Sequence, residues 1–286
     1  MSAQAGIGGS SNYLSGLFAL VRFSAAQLVR PLSHSRRAEA ARRLARHSLL
    51  ITTIVAAVVI ALIYGFDARE ITLMPPRGSA GLWPVRILTD FGKEAYVLWL
   101  LAAMLLLVVI IAPALRRTSA SLLLSFGTRL QFLFFAVLTP VLAGELLKWI
   151  AGRGRPFVGG KANPFNFAPF TGTEAYASFP SEHAITSFAL AFAVGAIWPR
   201  ARPVMIAYAF LIALSRLVLL AHHPSDVVAG ALIGVIGAMF VRYWFAARRL
   251  AFAIDCDGKV RPLAGPSLRH LRIGHLKRVA GGPSAP

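Results

Sequence analysis

Between Ser215 and Asp226 the chain reads SRLVLLAHHPSD, an apolar stretch with an arginine near its start and two histidines and an aspartate at its end. Arg216 and His222 stand six residues apart, about 9 Å of rise on a helix. In a segment this apolar, an ionisable group is costly unless a partner or a cavity offsets it, so such residues read first as functional. Asp226 follows His222 by four positions, close enough to hold one imidazole nitrogen. A carboxylate there would fix the tautomer and leave the other nitrogen as a nucleophile. The adjacent His223 reads as a rim residue.

Two more blocks carry polar groups of the same kind. In KWIAGRGRP, Lys148 to Pro156, two glycines stop a helix and Pro156 pushes Arg155 toward an extended conformation. Lys148 and Arg155 can then converge on one anion, although the block alone also fits cations that reach up to lipid headgroups. In Pro180-Ser181-Glu182-His183, Ser181 is a good N-cap, and the free N–H groups of the helix it opens form an anion site. Glu182 suits the positive end of the helix dipole. His183, inside an apolar run, needs a partner or a cavity. Three cations, a helix N-terminus and two histidines are the parts that phosphoryl transfer uses: charge clamps, a nucleophile and an acid for the leaving oxygen. No dense carboxylate cluster suits Mg²⁺ and no His/Cys spacing suits zinc, so the cations are expected to do a metal's work, with no cofactor.

These residues fit K-x6-RP (Lys148, Arg155, Pro156), PS-x-H (Pro180, Ser181, His183) and SR-x5-H-x3-D (Ser215, Arg216, His222, Asp226). The order and spacing resemble the type 2 phosphatidic acid phosphatase (PAP2) superfamily of integral membrane lipid phosphate phosphatases, over roughly residues 95–245. The resemblance implies that His222 attacks phosphorus and forms a phosphohistidine, that Asp226 orients it, and that His183 protonates the leaving oxygen. Lys148, Arg155, Arg216, Ser181 and the N–H of residue 182 would hold the phosphate. The family usually has glycine where this chain has Glu182. That carboxylate would repel a phosphate unless it turned to solvent or paired with a cation such as Arg153.

The elements that must position these residues are membrane helices. The 286 residues are 57% hydrophobic and 14% charged, with a mean hydropathy of +0.65. Six apolar runs are long enough to cross a hydrocarbon core of about 30 Å: residues 49–66, 96–115, 130–150, 183–198, 204–220 and 227–245, the fourth being the shortest. The expected fold is therefore an all-α polytopic bundle of six transmembrane helices, with an N-terminal interfacial helix that carries Leu14, Leu17, Phe18, Val21 and Leu28. The net charge of +19 is concentrated in short segments beside the runs, which points to membrane lipids rather than nucleic acid as partner. With the N-terminus cytoplasmic, 21 of the 30 Lys and Arg lie on the cytoplasmic side. The positive-inside rule then places both termini in the cytoplasm of a multi-pass cell-membrane protein and all three polar blocks on the extracytoplasmic face.

The expected organisation is a basic N-terminal segment (1–47), whose residues 36–47 form a polar surface helix, a six-span phosphatase domain (48–246) and a basic, disordered tail (247–286). The loop 151–180 reads as an ordered lid, with Trp149, Phe157, Phe165, Phe167 and Phe170 as site walls or an aromatic belt. Glu145 reads as a structural partner of Lys148, and Cys256, the single cysteine, as a free thiol. The function expected is a metal-independent phosphatase acting on a lipid phosphate or diphosphate: a prenyl diphosphate, phosphatidic acid, phosphatidylglycerol phosphate or lipid A. A lipid phosphotransferase of the same family and an anion transporter are the alternatives.

Overall fold

The computed structural model describes residues 9–31, 34–75, 78–156, 158–159, 163–255 and 259–263. Phe157, Cys256 and the tail beyond Leu263 lie outside these residues, and the readings made of them lie outside with them. Of the described residues, 77% are helical. In order, the helices are α1 (Gly9–Val29), α2 (His34–Gly65), α3 (Asp67–Leu73), α4 (Trp83–Asp90), α5 (Glu94–Ile111), α6 (Arg117–Ala151), α7 (Glu182–Ile197), α8 (Arg202–Val218) and α9 (Pro224–Arg248). A short antiparallel ribbon, β1 (Phe252–Ile254) and β2 (Val260–Pro262), follows.

Each of the six apolar runs lies in a helix. Among the described residues, five helical segments are long and apolar enough to cross a membrane, namely Ala38–Gly65, Ala80–Ala114, Ser119–Ala151, Pro199–Val218 and Pro224–Arg248. The fourth run is different: α7 has 16 residues, about 24 Å of rise, short of the hydrocarbon thickness. The polar stretch 36–47 is not a separate surface helix, because α2 carries it straight into the first apolar run. The loop 67–94 holds α3 and α4. The expected disorder after residue 247 does not begin there either: Phe252 is fully buried and the ribbon pairs Ala253 with Arg261.

The chain forms two compact units. One comprises Met1–Leu32, Ala102–Gln131 and Phe245–Pro286. Within it the Tyr13 hydroxyl donates to the Ile110 carbonyl at 2.8 Å, and Arg30 Nη2 donates to the Arg248 carbonyl at 2.9 Å. The other unit, Ser33–Leu101 and Phe132–Trp244, contains all eight residues singled out for chemistry.

In that second unit the short helix is the central one. Ten of the 16 residues of α7 are buried, most of them Ala, Ser, Thr or Gly, and α7 packs along α8. Small side chains let backbones approach closely, which is how apolar helices associate where lipid competes for every apolar surface. Gly230 and Gly234 of α9 show how close: a Cβ on either would run into the carbonyl oxygen of Ser181 or Ile185. The longer helices turn large apolar side chains outward instead. Leu49, Leu50, Ile54 and Ile60 on α2 and Trp99 and Leu100 on α5 are all exposed, a surface that water would not tolerate and lipid would.

Candidate active site

Four chain segments meet at one end of this unit: the C-terminal turn of α6, the N-terminus of α7, the C-terminal turn of α8 and the N-terminus of α9. The first is shaped by Gly152, whose φ of +53° ends α6 and whose missing side chain leaves room for the Ala168 backbone. The loop then folds back on itself. Ala168 N–H donates to the Gly152 carbonyl at 2.7 Å, Gly154 N–H donates to the Asn166 carbonyl at 2.8 Å, and Arg153 and Phe167 form an antiparallel bridge. In its described residues the loop is held by these backbone bonds, in line with its reading as an ordered lid. Its aromatics face outward: Trp149, Phe165, Phe167 and Phe170 are all about half exposed, and Trp149 meets Phe170 edge to face with ring centroids 4.8 Å apart.

His222 sits in the tight turn between α8 and α9 and is 3% exposed. Its Nδ1 lies 2.7 Å from the carbonyl oxygen of Ser178. Burial pushes its pKa well below the usual histidine value, and the nearby cations Arg216 and Arg155 push the same way. The imidazole is therefore neutral. Because a carbonyl only accepts, the single proton belongs on Nδ1 and the lone pair on Nε2. The tautomer expected of a nucleophile is present, but its fixing group differs from the expected one. Asp226 does not hold His222: its Oδ2 accepts from the Ser178 hydroxyl at 2.6 Å and from the His223 N–H at 3.0 Å, and its Oδ1 accepts from Arg153 Nη1 at 2.5 Å. Asp226 acts on Ser178, and the carbonyl of Ser178 acts on His222. Both oxygens of Asp226 are already taken by Arg153, the Ser178 hydroxyl and the His223 N–H, so the carboxylate is turned to these groups and not to the His222 ring.

Ser181 is the N-cap of α7, with its own N–H donating to the Asp226 carbonyl at 3.0 Å. Its hydroxyl makes no capping bond; Ser181 Oγ and His183 Nε2 are buried atoms without a hydrogen-bond partner among the described residues. Buried polar atoms left open in this way mark where a ligand belongs. The charges of Arg216, Arg155 and Lys148 all act on His183, and His183 in turn acts on His222, so the two rings and three cations share one region. Arg216, almost buried, donates to Thr89 Oγ1 of α4 at 2.9 Å. Arg155 reaches the exposed Glu174 at 3.0 Å.

Glu182 pairs with a cation, but not with Arg153: it takes Lys148 Nζ at 2.7 Å, and Glu145 takes the same ammonium from the preceding turn of α6. Lys148 is thus between two carboxylates, the second being the structural partner expected. His223 is not a rim residue. It is 1% exposed, and burial lowers its pKa against the pull of Asp226.

Several residues at the centre were not singled out from the sequence. Asp67, at the start of α3, is fully buried and takes Arg153 Nη2 at 2.9 Å, the Ser225 N–H at 3.1 Å and the Ser225 hydroxyl at 2.5 Å. Beside it Glu70 is fully buried, and burial, reinforced by the charges of Asp67 and Asp226, raises its pKa to about 8. Glu70 is therefore protonated at neutral pH. Its one signal in the sequence was a pair of acids, DARE, straight after an apolar run; that reads equally well as a helix start.

Comparison with known proteins places this geometry in context. The PAP2 superfamily matches residues 129–250, which span all three motif blocks. A lipid A 1-phosphatase of Rhizobium johnstonii is 34% identical over 179 residues, covering 60% of this chain and 71% of that protein. A lipid A 1-phosphatase of Rhizobium etli is 32% identical over 179 residues, covering 60% and 75%. The bacitracin transport permease protein BcrC of Bacillus licheniformis is 39% identical over 69 residues, 24% of this chain and 34% of that protein. No solved structure matches.

Proposed function

We propose that this chain, which belongs to the PAP2 superfamily, is a multi-pass membrane phosphatase that removes a phosphoryl group from a lipid through a phosphohistidine on His222. The observation that carries the reading is the buried His222, held by the Ser178 carbonyl at Nδ1, with the charges of Arg216 and Arg155 acting on it. Among the substrates open to this chemistry, the 1-phosphate of lipid A draws support from two relatives of that activity.

In this mechanism Nε2 of His222 attacks phosphorus, the P–O bond to the lipid breaks, and the leaving oxygen takes a proton from His183. Water then attacks the phosphohistidine, giving up a proton to His183, and phosphate departs. Lys148, Arg155 and Arg216 balance the charge on the nonbridging oxygens, while the Ser181 hydroxyl and the N–H groups of the first turn of α7 donate to them. The phosphate must take Lys148 from Glu182, so substrate competes with that ion pair. No step calls on a metal. The catalytic side is the extracytoplasmic one, with both termini cytoplasmic.

The test is phosphate release from detergent micelles that carry lipid A, a prenyl diphosphate, phosphatidic acid or phosphatidylglycerol phosphate. Lipid A is the expected preference, His222→Ala and His183→Ala should each abolish release, and EDTA should leave it unchanged. Full activity in His222→Ala would refute the reading. The transport alternative, which the short match to a permease brings to mind, predicts that His222→Ala leaves anion movement intact.

A further inference from the structure

Among the described residues the most heavily bonded group near the nucleophile is a guanidinium, that of Arg153. Arg153 is 1% exposed, and its five N–H donors are all spent: Nε and Nη2 on the Pro164 carbonyl at 3.0 and 2.9 Å, Nη2 also on Asp67, and Nη1 on Ser225 Oγ at 2.6 Å and on Asp226. Of the two arginines in GRGR, only Arg155 is left to face a phosphate. Arg153 ties together three pieces of chain that are remote in sequence: α3, the loop after α6 and the start of α9.

The piece that matters for chemistry is Ser178, because its carbonyl is the group that meets His222 Nδ1 among the described residues. Two bonds hold Ser178 in place. Its N–H donates to the Arg153 carbonyl at 3.0 Å and its hydroxyl donates to Asp226 Oδ2 at 2.6 Å. Both anchors are gripped by one carboxylate, since Asp67 accepts from the Arg153 side chain and from both the N–H and the hydroxyl of Ser225, the residue before Asp226. The path from Asp67 to the nucleophile's ring therefore runs through Arg153, and through Ser225 and Asp226, to Ser178, and from the Ser178 carbonyl to His222 Nδ1.

We propose that Asp67 is a positioning residue for the nucleophile: by clamping Arg153 and the first turn of α9, it holds the Ser178 carbonyl at His222 Nδ1 and so aims Nε2 at phosphorus. Asp67 touches no substrate. It lies outside all three motif blocks and outside residues 129–250, on the connection that follows the first apolar helix. A buried carboxylate that shares one guanidinium with Asp226 is worth more than packing, because loss of its charge leaves Arg153 with one counter-ion in a dry site. Small displacements of a nucleophile are expensive in rate, about 100-fold for about 1 Å.

The inference rests on His222 being the nucleophile, and the experiment separates the two claims. Asp67→Asn keeps size and removes charge; Ser225→Ala removes the hydroxyl that bridges Asp67 and Arg153 and is the milder change if the first does not fold. Each is purified, given one equivalent of radiolabelled lipid phosphate, and quenched over milliseconds to seconds. The readout is the rate constant for label entering the protein, taken apart from the amplitude. A residue needed only for folding lowers the amplitude, that is the active fraction, and leaves the rate constant alone. The proposal predicts a fall in rate constant of about 10- to 100-fold in Asp67→Asn, a smaller fall in Ser225→Ala, and a KM within a few-fold of the parent. A parental rate constant in both variants overturns it. Label entering His222→Ala at the parental rate overturns the phosphohistidine reading instead, whatever the Asp67 variants do.

Discussion

At the scale of single residues, which side chains gather at the candidate site was visible in the sequence and how they are wired was not. Lys148, Arg155, Ser181, His183, Arg216 and His222 could be picked out because charged or nucleophilic groups are conspicuous at the ends of apolar runs. The pairing of His222 with Asp226 was read from their spacing, and the structure gives His222 a backbone carbonyl instead. No spacing rule could have found that: Ser178 is 44 residues from His222 and Asp67 is 158 from Ser225, contacts set by the fold alone. Glu70 gives a prediction at this scale. Its carboxyl ionises near 4.5 when exposed and near 8 when buried, so between those values the folded chain holds a proton that the unfolded chain has released. Stability therefore falls as pH rises from 4.5 to 8 and is level above. Glu70→Gln removes that slope. Thermal unfolding in detergent should show the variant more stable than the parent by up to about 3 kcal/mol at pH 7, with the gain shrinking toward pH 4.5; a variant less stable at pH 7 would contradict the assignment.

At the scale of elements, helicity and approximate bounds followed from hydropathy, because a bilayer allows a chain few other ways to satisfy its backbone. What hydropathy could not show is that the weakest run is the most important. As a span α7 is short, and its place at the centre comes from its small residues, which let α9 approach to backbone contact at Gly230 and Gly234. That contact sets Ser181 and His183 against the start of α9. Gly234→Ala should push the two helices apart, because the new Cβ meets the Ile185 carbonyl oxygen and the Ala189 nitrogen, which are backbone atoms and cannot swing aside. A loss of about 1 to 3 kcal/mol is expected, with activity falling as well. Gly65→Ala, with nothing within 4 Å of the added Cβ, should change neither. Equal thermal midpoints for the two variants would show that the close crossing does not matter.

At the scale of the whole molecule, the chain is a PAP2-superfamily membrane protein whose exposed apolar helix surfaces suit lipid as their solvent. Among the described residues five helical segments have the length and composition to cross; with α7 as a sixth crossing, the bias of 21 out of 30 Lys and Arg predicts that both termini lie in the cytoplasm. The sidedness is open to direct measurement. In a Cys256→Ser background, Thr173→Cys on the exposed loop should react with a membrane-impermeant maleimide in intact cells; reaction only after permeabilisation would put the site on the other face. The central claim is that phosphate leaves by way of His222, and the measurement closest to it is a trapping experiment. Enzyme mixed with radiolabelled lipid phosphate and quenched in alkali should hold a label that survives base, is lost in acid, and maps to the peptide containing His222. Phosphate release at full rate with no such adduct, or an unchanged adduct in His222→Ala, would contradict the account.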